Sequence, residues 1–162
     1  HLGETTMTTE TETETEVTHD RELDGHYFED LAVDMSNLYS RTITESDIVL
    51  FCGISGDTNP VHLDREYASR TRFRGPIAHG MLSASLISTV LGTKLPGPGV
   101  IYVSQNCRFC APVRAGDTVV ARATITNLDA DKCFARLETT CSVGPKVVID
   151  GEAVVMVPSR AT

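Results

Sequence analysis

The sequence predicts an α+β domain in which a curled antiparallel sheet wraps around one long buried helix. Three observations carry this. The stretch Ile77–Leu91 has apolar residues at Ile77, Ala78, Met81, Leu82, Ala84, Leu86, Ile87, Val90 and Leu91, and from Met81 onward only Ser and Thr stand between them. A helix with no charge on any face is buried on most sides. The last third of the chain changes to a period of two, with strands expected over Val100–Cys110, Asp117–Leu128, Lys132–Val143 and Lys146–Val157. Asp129-Ala-Asp131 and Gly144-Pro145 join these as hairpin turns, and Arg114-Ala-Gly-Asp117 turns between the first two. The economical packing of one uncharged helix and a run of strands places the helix on the concave face of the sheet.

The elements follow in order along the 162 residues. Residues 1–24 carry eight acids and one base, with Thr and Glu alternating over 11–16, so a disordered acidic tail is expected. The domain is expected over 25–162, where 14 acids face 13 bases. That balance leaves no basic face for nucleic acid. No apolar run reaches the roughly 18 residues a membrane helix needs. With no apolar leader in view, a cytoplasmic protein is expected.

Leu38–Ile43 reads as a strand. Thr44 then caps a helix with acids in its first turn, which Gly53 and the cluster Ser55–Pro60 bring to an end. A short helix is expected over Asp64–Ser69. After the buried helix, ended by Gly92, Leu95-Pro-Gly-Pro-Gly99 reads as a rigid, exposed loop. Strands with a free edge make a homodimer or higher oligomer the natural expectation. Five cysteines, an odd number, point to reduced thiols. Cys107-Arg-Phe-Cys110 has redox or zinc spacing, but no second pair or well-spaced His accompanies it, so no metal is expected.

Functional side chains are densest over Ser55-Gly56-Asp57-Thr58-Asn59-Pro60-Val61-His62. A loop folded back by Asn-Pro can place the Asp57 carboxylate beside the His62 imidazole, where the two could hold one water and exchange protons. The same spacing also suits a turn-forming Asp57 and a packed His62. At Ile77-Ala-His-Gly-Met81, the first-turn amides of the buried helix offer a site for a carbonyl oxygen gaining charge, with Gly80 allowing close approach. Tight helix–sheet contact would call for the same glycine, and His79 could be structural or chemical.

Phe51-x-x-x-Ser55-Gly56-Asp57-x-Asn59-Pro60-x-His62-x-Asp64 followed by Pro76-Ile-Ala-His-Gly-Met81 resembles the hydratase-2 motif of the MaoC-like dehydratases. Within them the chain is most similar to the short (R)-specific enoyl-CoA hydratases. The resemblance continues through Leu95-Pro-Gly-x-Gly99, Ile101-Tyr102, Gln105, Phe109, Pro112-Val113, Gly116-Asp117 and Gly151-Glu-Ala153, spanning about residues 28–158. It implies a hotdog fold and a homodimer with the active site close to the subunit interface. By resemblance, Asp57 and His62 activate water for syn addition to a short trans-2-enoyl-CoA, giving the (R)-3-hydroxyacyl-CoA. The Gly80 amide binds the thioester oxygen, and Ser88 orients Asp57. Asn59, His79, Pro96 and Gly97 would contact substrate, and Leu91 and Met156 would limit the acyl chain to roughly four to six carbons. Either of the last two could equally be core. Arg70, Arg72 and Arg74 could meet the CoA phosphates or simply form a solvated face.

No cofactor is implied, since CoA is part of the substrate. There is no dinucleotide fingerprint, Walker loop or Gly-x-Ser-x-Gly elbow, despite Gly53-Ile-Ser-Gly56. Alternative readings are a dehydratase on carrier-protein-bound, branched or dicarboxylic thioesters, and a non-catalytic acyl-thioester-binding subunit. Retention of both Asp57 and His62 opposes the second.

Overall fold

The computed structural model describes residues 23–161. The acidic Thr/Glu segment therefore lies outside the described residues up to residue 22. One five-stranded antiparallel sheet holds the domain together, with strands β1 (Ser36–Thr42), β2 (Ile101–Phe109), β3 (Thr118–Asp129), β4 (Phe134–Val143) and β5 (Lys146–Met156) in the order β1-β3-β4-β5-β2. Among the described residues four α-helices accompany it, α1 (Glu45–Ser55), α2 (Pro60–Leu63), α3 (Arg65–Ser69) and α4 (Gly80–Thr93), with one 3-10 turn at Phe28–Asp30. The strands match the period-two reading to within two residues at each end.

Sheet and helix meet through small residues. Ala121, Ala123, Ala135 and Ala153 are fully buried on the inner sheet face and let α4 approach closely. Leu86, Ile87, Val90 and Leu91 of α4 fill the space left, alongside Ile125, Leu137 and Val155. Burying each of these large side chains contributes roughly 1.5–3 kcal/mol. β4 shows the alternation most plainly: Ala135, Leu137, Thr139 and Cys141 are buried, while Arg136 and Glu138 are exposed.

Three local expectations change. The buried helix begins at Gly80 rather than Ile77 because the backbone before it is committed elsewhere: Ile77 O accepts from the His62 side chain and Ala78 N donates to Val113 O. Gly92 lies inside the helix, which runs on to Thr93 before the chain turns at Leu95-Pro96. Gly53 likewise lies within α1, and Gly56, at φ +76°, is the residue that ends it.

The Leu95–Gly99 loop is also more covered than expected. Pro96 and Gly97 are buried, because Gly25 and His26 cross over them: His26 N donates to Pro96 O at 2.8 Å and Gly25 N to Pro98 O at 3.0 Å. Only Pro98 and Gly99 face solvent.

α4 is not buried all round. Met81, Ser85 and Ser88 form one uncharged exposed stripe along it. β2 is an edge strand, and Ile101, Tyr102, Val103 and Phe109 on it are exposed. Among the described residues, no helix is long and apolar enough to cross a membrane.

Candidate active site

The site is assembled where α1 ends, α2 begins and α4 starts. The αL turn at Gly56 swings the chain back, and Ser55 Oγ fixes the new direction by accepting from Asp57 N at 3.1 Å while donating to Phe51 O at 2.7 Å. Asp57 Oδ1 accepts from Asn59 N at 3.2 Å. Asn59 Oδ1 in turn caps α2 by accepting from Val61 N, and Pro60 fills the first helical position, where its missing N–H costs nothing. The Asn59 side chain expected to contact substrate is thus used to start the helix that carries His62.

Asp57 and His62 are brought together. His62 Nε2 stands 3.9 Å from Asp57 Oδ2. The imidazole is nearly buried, with 9% of its side-chain area exposed, whereas 53% of the Asp57 side chain is exposed. His62 Nδ1 lies 2.7 Å from Ile77 O. A backbone carbonyl only accepts, so Nδ1 carries the hydrogen and the neutral ring presents a bare Nε2 lone pair toward Asp57. The 3.9 Å gap is too long for a direct hydrogen bond and suits one bridging water.

His79 closes the site from behind. Its ring stacks on His62 with centroids 3.7 Å apart and 28° between planes, and the Phe51 ring lies tilted against it with centroids 4.9 Å apart. His79 Nε2 is 2.9 Å from the Asp57 carbonyl and 3.5 Å from Cys52 Sγ. Its Nδ1 is buried without a partner. Asp57, His62 and His79 place one ligand-type atom each within 4.8 Å of one another. Near-parallel stacked rings hold their in-plane lone pairs in parallel layers, and Ile77 O and Asp57 O already engage one nitrogen of each ring, so the trio is poorly shaped to converge on one ion.

Gly80 opens α4 directly after His79, so its amide has no intrahelical partner. A Cβ here would lie 2.7 Å from the Phe109 ring, so packing demands the glycine as well. A cavity of about 420 Å³ opens beside it, lined among others by Arg72, Ile77, Met81, Ser83, Phe109 and Ile149. Ser83 Oγ is buried there with no partner. Nothing in the local sequence singles out Ser83, and Phe109 enters only as one of the residues of the resemblance.

Other expected site residues stand apart within one chain. Ser88 is exposed, eight residues beyond Gly80 and so about 12 Å along the helix axis. Leu91 lies about 16 Å along the same axis, buried in the core. Met156 ends β5 beside Ile101, and Pro96 and Gly97 follow the far end of α4. Arg70 is tied to Glu66, while Arg72 and Arg74 are exposed. Cys107 and Cys110, three apart in an extended stretch, point to opposite faces, and all five cysteines are free thiols.

A model of the MaoC like domain matches residues 32–144. The chain is 58% identical over 135 residues to an (R)-specific enoyl-CoA hydratase of Rhodospirillum rubrum, covering 83% of this chain and 94% of that protein. It is 51% identical over 134 residues to a 3-hydroxybutyryl-CoA dehydratase of Methylorubrum extorquens, covering 83% and 85%. The unliganded R-hydratase PhaJ1 of Pseudomonas aeruginosa superposes with a TM-score of 0.79 at 42% identity, over 84% of this chain and 88% of that one.

Proposed function

The chain belongs to the MaoC-like dehydratase family, and from that premise we propose that it is an (R)-specific enoyl-CoA hydratase acting on short trans-2-enoyl-CoA thioesters. The observation that carries this is the Asp57–His62 pair, spaced for one water, with His62 stacked on His79 directly before the Gly80 amide. The relatives named as (R)-specific enoyl-CoA hydratase and 3-hydroxybutyryl-CoA dehydratase support the substrate class.

In the proposed reaction, water donates to Asp57 Oδ2 and His62 Nε2. Its oxygen adds at C3 while Nε2 takes one proton, and the Asp57 carboxylate stabilises the imidazolium. Electron density moves to the thioester oxygen, where the Gly80 amide and the start of α4 hold the developing negative charge. The proton taken by His62 is then returned to C2 on the same face. The sum is syn addition of one water, giving the (R)-3-hydroxyacyl-CoA, and the reverse path is the dehydration.

A homodimer belongs to this reading. The exposed apolar residues of the β2 edge strand and the uncharged Met81–Ser85–Ser88 stripe of α4, which begins beside Gly80, support it. Ser88 serves Asp57 in this scheme only by reaching it from a second copy. Light scattering tests the assembly.

The decisive experiment follows loss of enoyl-thioester absorbance with crotonyl-CoA for wild type, Asp57→Asn and His62→Gln, with chiral analysis of the product. Each variant should lose on the order of 1000-fold in rate while melting like wild type. Full activity in either variant would overturn the mechanism. A folded wild type that ignores crotonyl-CoA but hydrates the carrier-protein thioester would move the substrate to that class.

A further inference from the structure

We propose that Arg114 is a positioning residue: its guanidinium staples the loop that sets both the His62 imidazole and the Gly80 amide. The turn Pro112–Asp117 has no part in the chemistry above, yet it reaches the site from the sheet. It is fixed at its own ends, with Gly116 N donating to Ile43 O, Ile43 N to Asp117 O, and Arg114 N to Asp117 Oδ2 at 2.8 Å.

From this anchored turn the Arg114 side chain crosses to the segment 73–76. Nη1 donates to Pro76 O at 3.0 Å and Nη2 donates to Phe73 O. None of the ion pairs among the described residues involves it. A half-buried guanidinium that binds two carbonyls three residues apart acts as a rigid fork, a geometry an ammonium cannot reproduce.

The stapled loop is one that needs holding. Arg74, between the two carbonyls, sits at φ +59°, a left-handed conformation that residues with a side chain adopt at a cost. Gly75 lies against the guanidinium, since a Cβ there would be 3.3 Å from Nη1. Directly after the staple, Ile77 O accepts from His62 Nδ1, Ala78 N donates to Val113 O, and Gly80 starts α4. The carbonyl that fixes the His62 tautomer and the amide placed to meet the thioester oxygen are therefore one and four residues from the stapled Pro76. Val113, next to Arg114, holds the same strip from its other side.

The inference rests on the hydratase reading only for its activity readout. Loop release should displace His62 by a fraction of an ångström to an ångström, enough to cost about 100-fold in rate. Arg114→Ala should therefore lower kcat for crotonyl-CoA hydration about 100-fold with KM nearly unchanged, and Arg114→Lys should fall between it and wild type. Free guanidinium at millimolar concentration should restore part of the Arg114→Ala rate, and equal potassium chloride should not. Nitrogen NMR of His62 should show the hydrogen-bonded Nδ1–H signal of wild type weakened or lost in Arg114→Ala. Arg136→Ala, on the outer sheet surface, should change none of these.

A folded Arg114→Ala with wild-type kcat, or one with an unaltered His62 nitrogen pattern, would overturn the proposal. If Arg114→Ala does not fold, Arg114→Lys decides: lowered kcat at unchanged KM supports positioning, and wild-type kcat refutes it. A wild type inactive on crotonyl-CoA would count against the hydratase reading alone, and the His62 nitrogen signal would still decide the staple.

Discussion

The imidazoles of His62 and His79 lie face to face, 3.7 Å between centroids and 28° between planes, and each donates to a backbone carbonyl that belongs to the other's segment. His62 Nδ1 serves Ile77 O, two residues before His79, and His79 Nε2 serves Asp57 O, five residues before His62. The two bonds and the stack form a closed clasp between the α1–α2 turn and the start of α4. Neither ring can shift without carrying the Asp57 backbone or the Gly80 amide with it. The clasp is therefore a physical link between the proton-transfer pair and the oxyanion donor.

His79→Phe separates the halves of this clasp. Phenylalanine keeps a ring over His62 but leaves the Asp57 carbonyl without its donor. The expected result is a kcat loss of about 10- to 100-fold with KM little changed, because Asp57 is displaced rather than removed. Initial rates with crotonyl-CoA, alongside a thermal melt, check it. Wild-type kcat would show that stacking alone positions the pair.

Gly80 is held by packing as well as by chemistry. A methyl group at its Cα would meet the Phe109 ring at 2.7 Å. Gly80→Ala should cost about 1–3 kcal/mol of stability, in the range of overpacked sites. In a Phe109→Ala background the same substitution should cost much less, because the obstructing ring is gone. A denaturant double-mutant cycle measures the difference, and equal costs in both backgrounds would refute the clash.

The strands were legible because alternation in β4 is a local signal, and the Thr44 cap was legible because Asp47 stands three residues on. The pairing of Asp57 with His62 was legible in outline from Asn59-Pro60. The start of α4 was not, since Ile77 and Ala78 are held by His62 and Val113, partners 15 and 35 residues away that no helical period records. The burial of Pro96 depends on His26, 70 residues earlier. Ser88, Leu91 and Met156 were assigned by resemblance, and a single chain leaves them far along α4 or at the end of β5. Arg114 carried no signal, because arginine in a polar turn is ordinary and only its reach to Phe73 and Pro76 distinguishes it.

The cysteines give a prediction about redox behaviour. Burial pushes the Cys141 thiol up to about 12, and burial also raises Cys107. Cys107 and Cys110 face opposite ways. Native protein at pH 8 should form no Cys107–Cys110 disulfide under air, and alkylation should reach Cys52 and Cys141 only after unfolding. Mass spectrometry of labelled peptides checks both. A native Cys107–Cys110 disulfide would show that β2 opens readily.

Acid should weaken the fold through α1. The Asp47 carboxyl is held below the usual carboxylate range, first by the Thr44 amide, then by the Arg41 guanidinium and the Thr44 hydroxyl. The Thr44 amide is 2.9 Å from Asp47 Oδ2, and Arg41 Nη2 is 2.7 Å from Oδ1. Hydrogen bonds to Ser159 lower Glu29, and the Arg160 guanidinium lowers Asp30. Folding lowers these pKa values, so the unfolded chain binds more protons in acid. Their stabilisation is complete above the unfolded carboxylate value, near pH 4, and is lost as pH falls through the lower folded values. The urea midpoint of wild type should therefore fall as the pH drops below about 4. Asp47→Asn should lower it at pH 7 and approach wild type near pH 2, since the wild-type carboxylate is then protonated too. Thr44→Ala removes the hydroxyl cap and should cost about 1 kcal/mol at neutral pH. A gap between Asp47→Asn and wild type that stays constant from pH 7 to pH 2 would show that the Asp47 charge contributes nothing to the stability of α1.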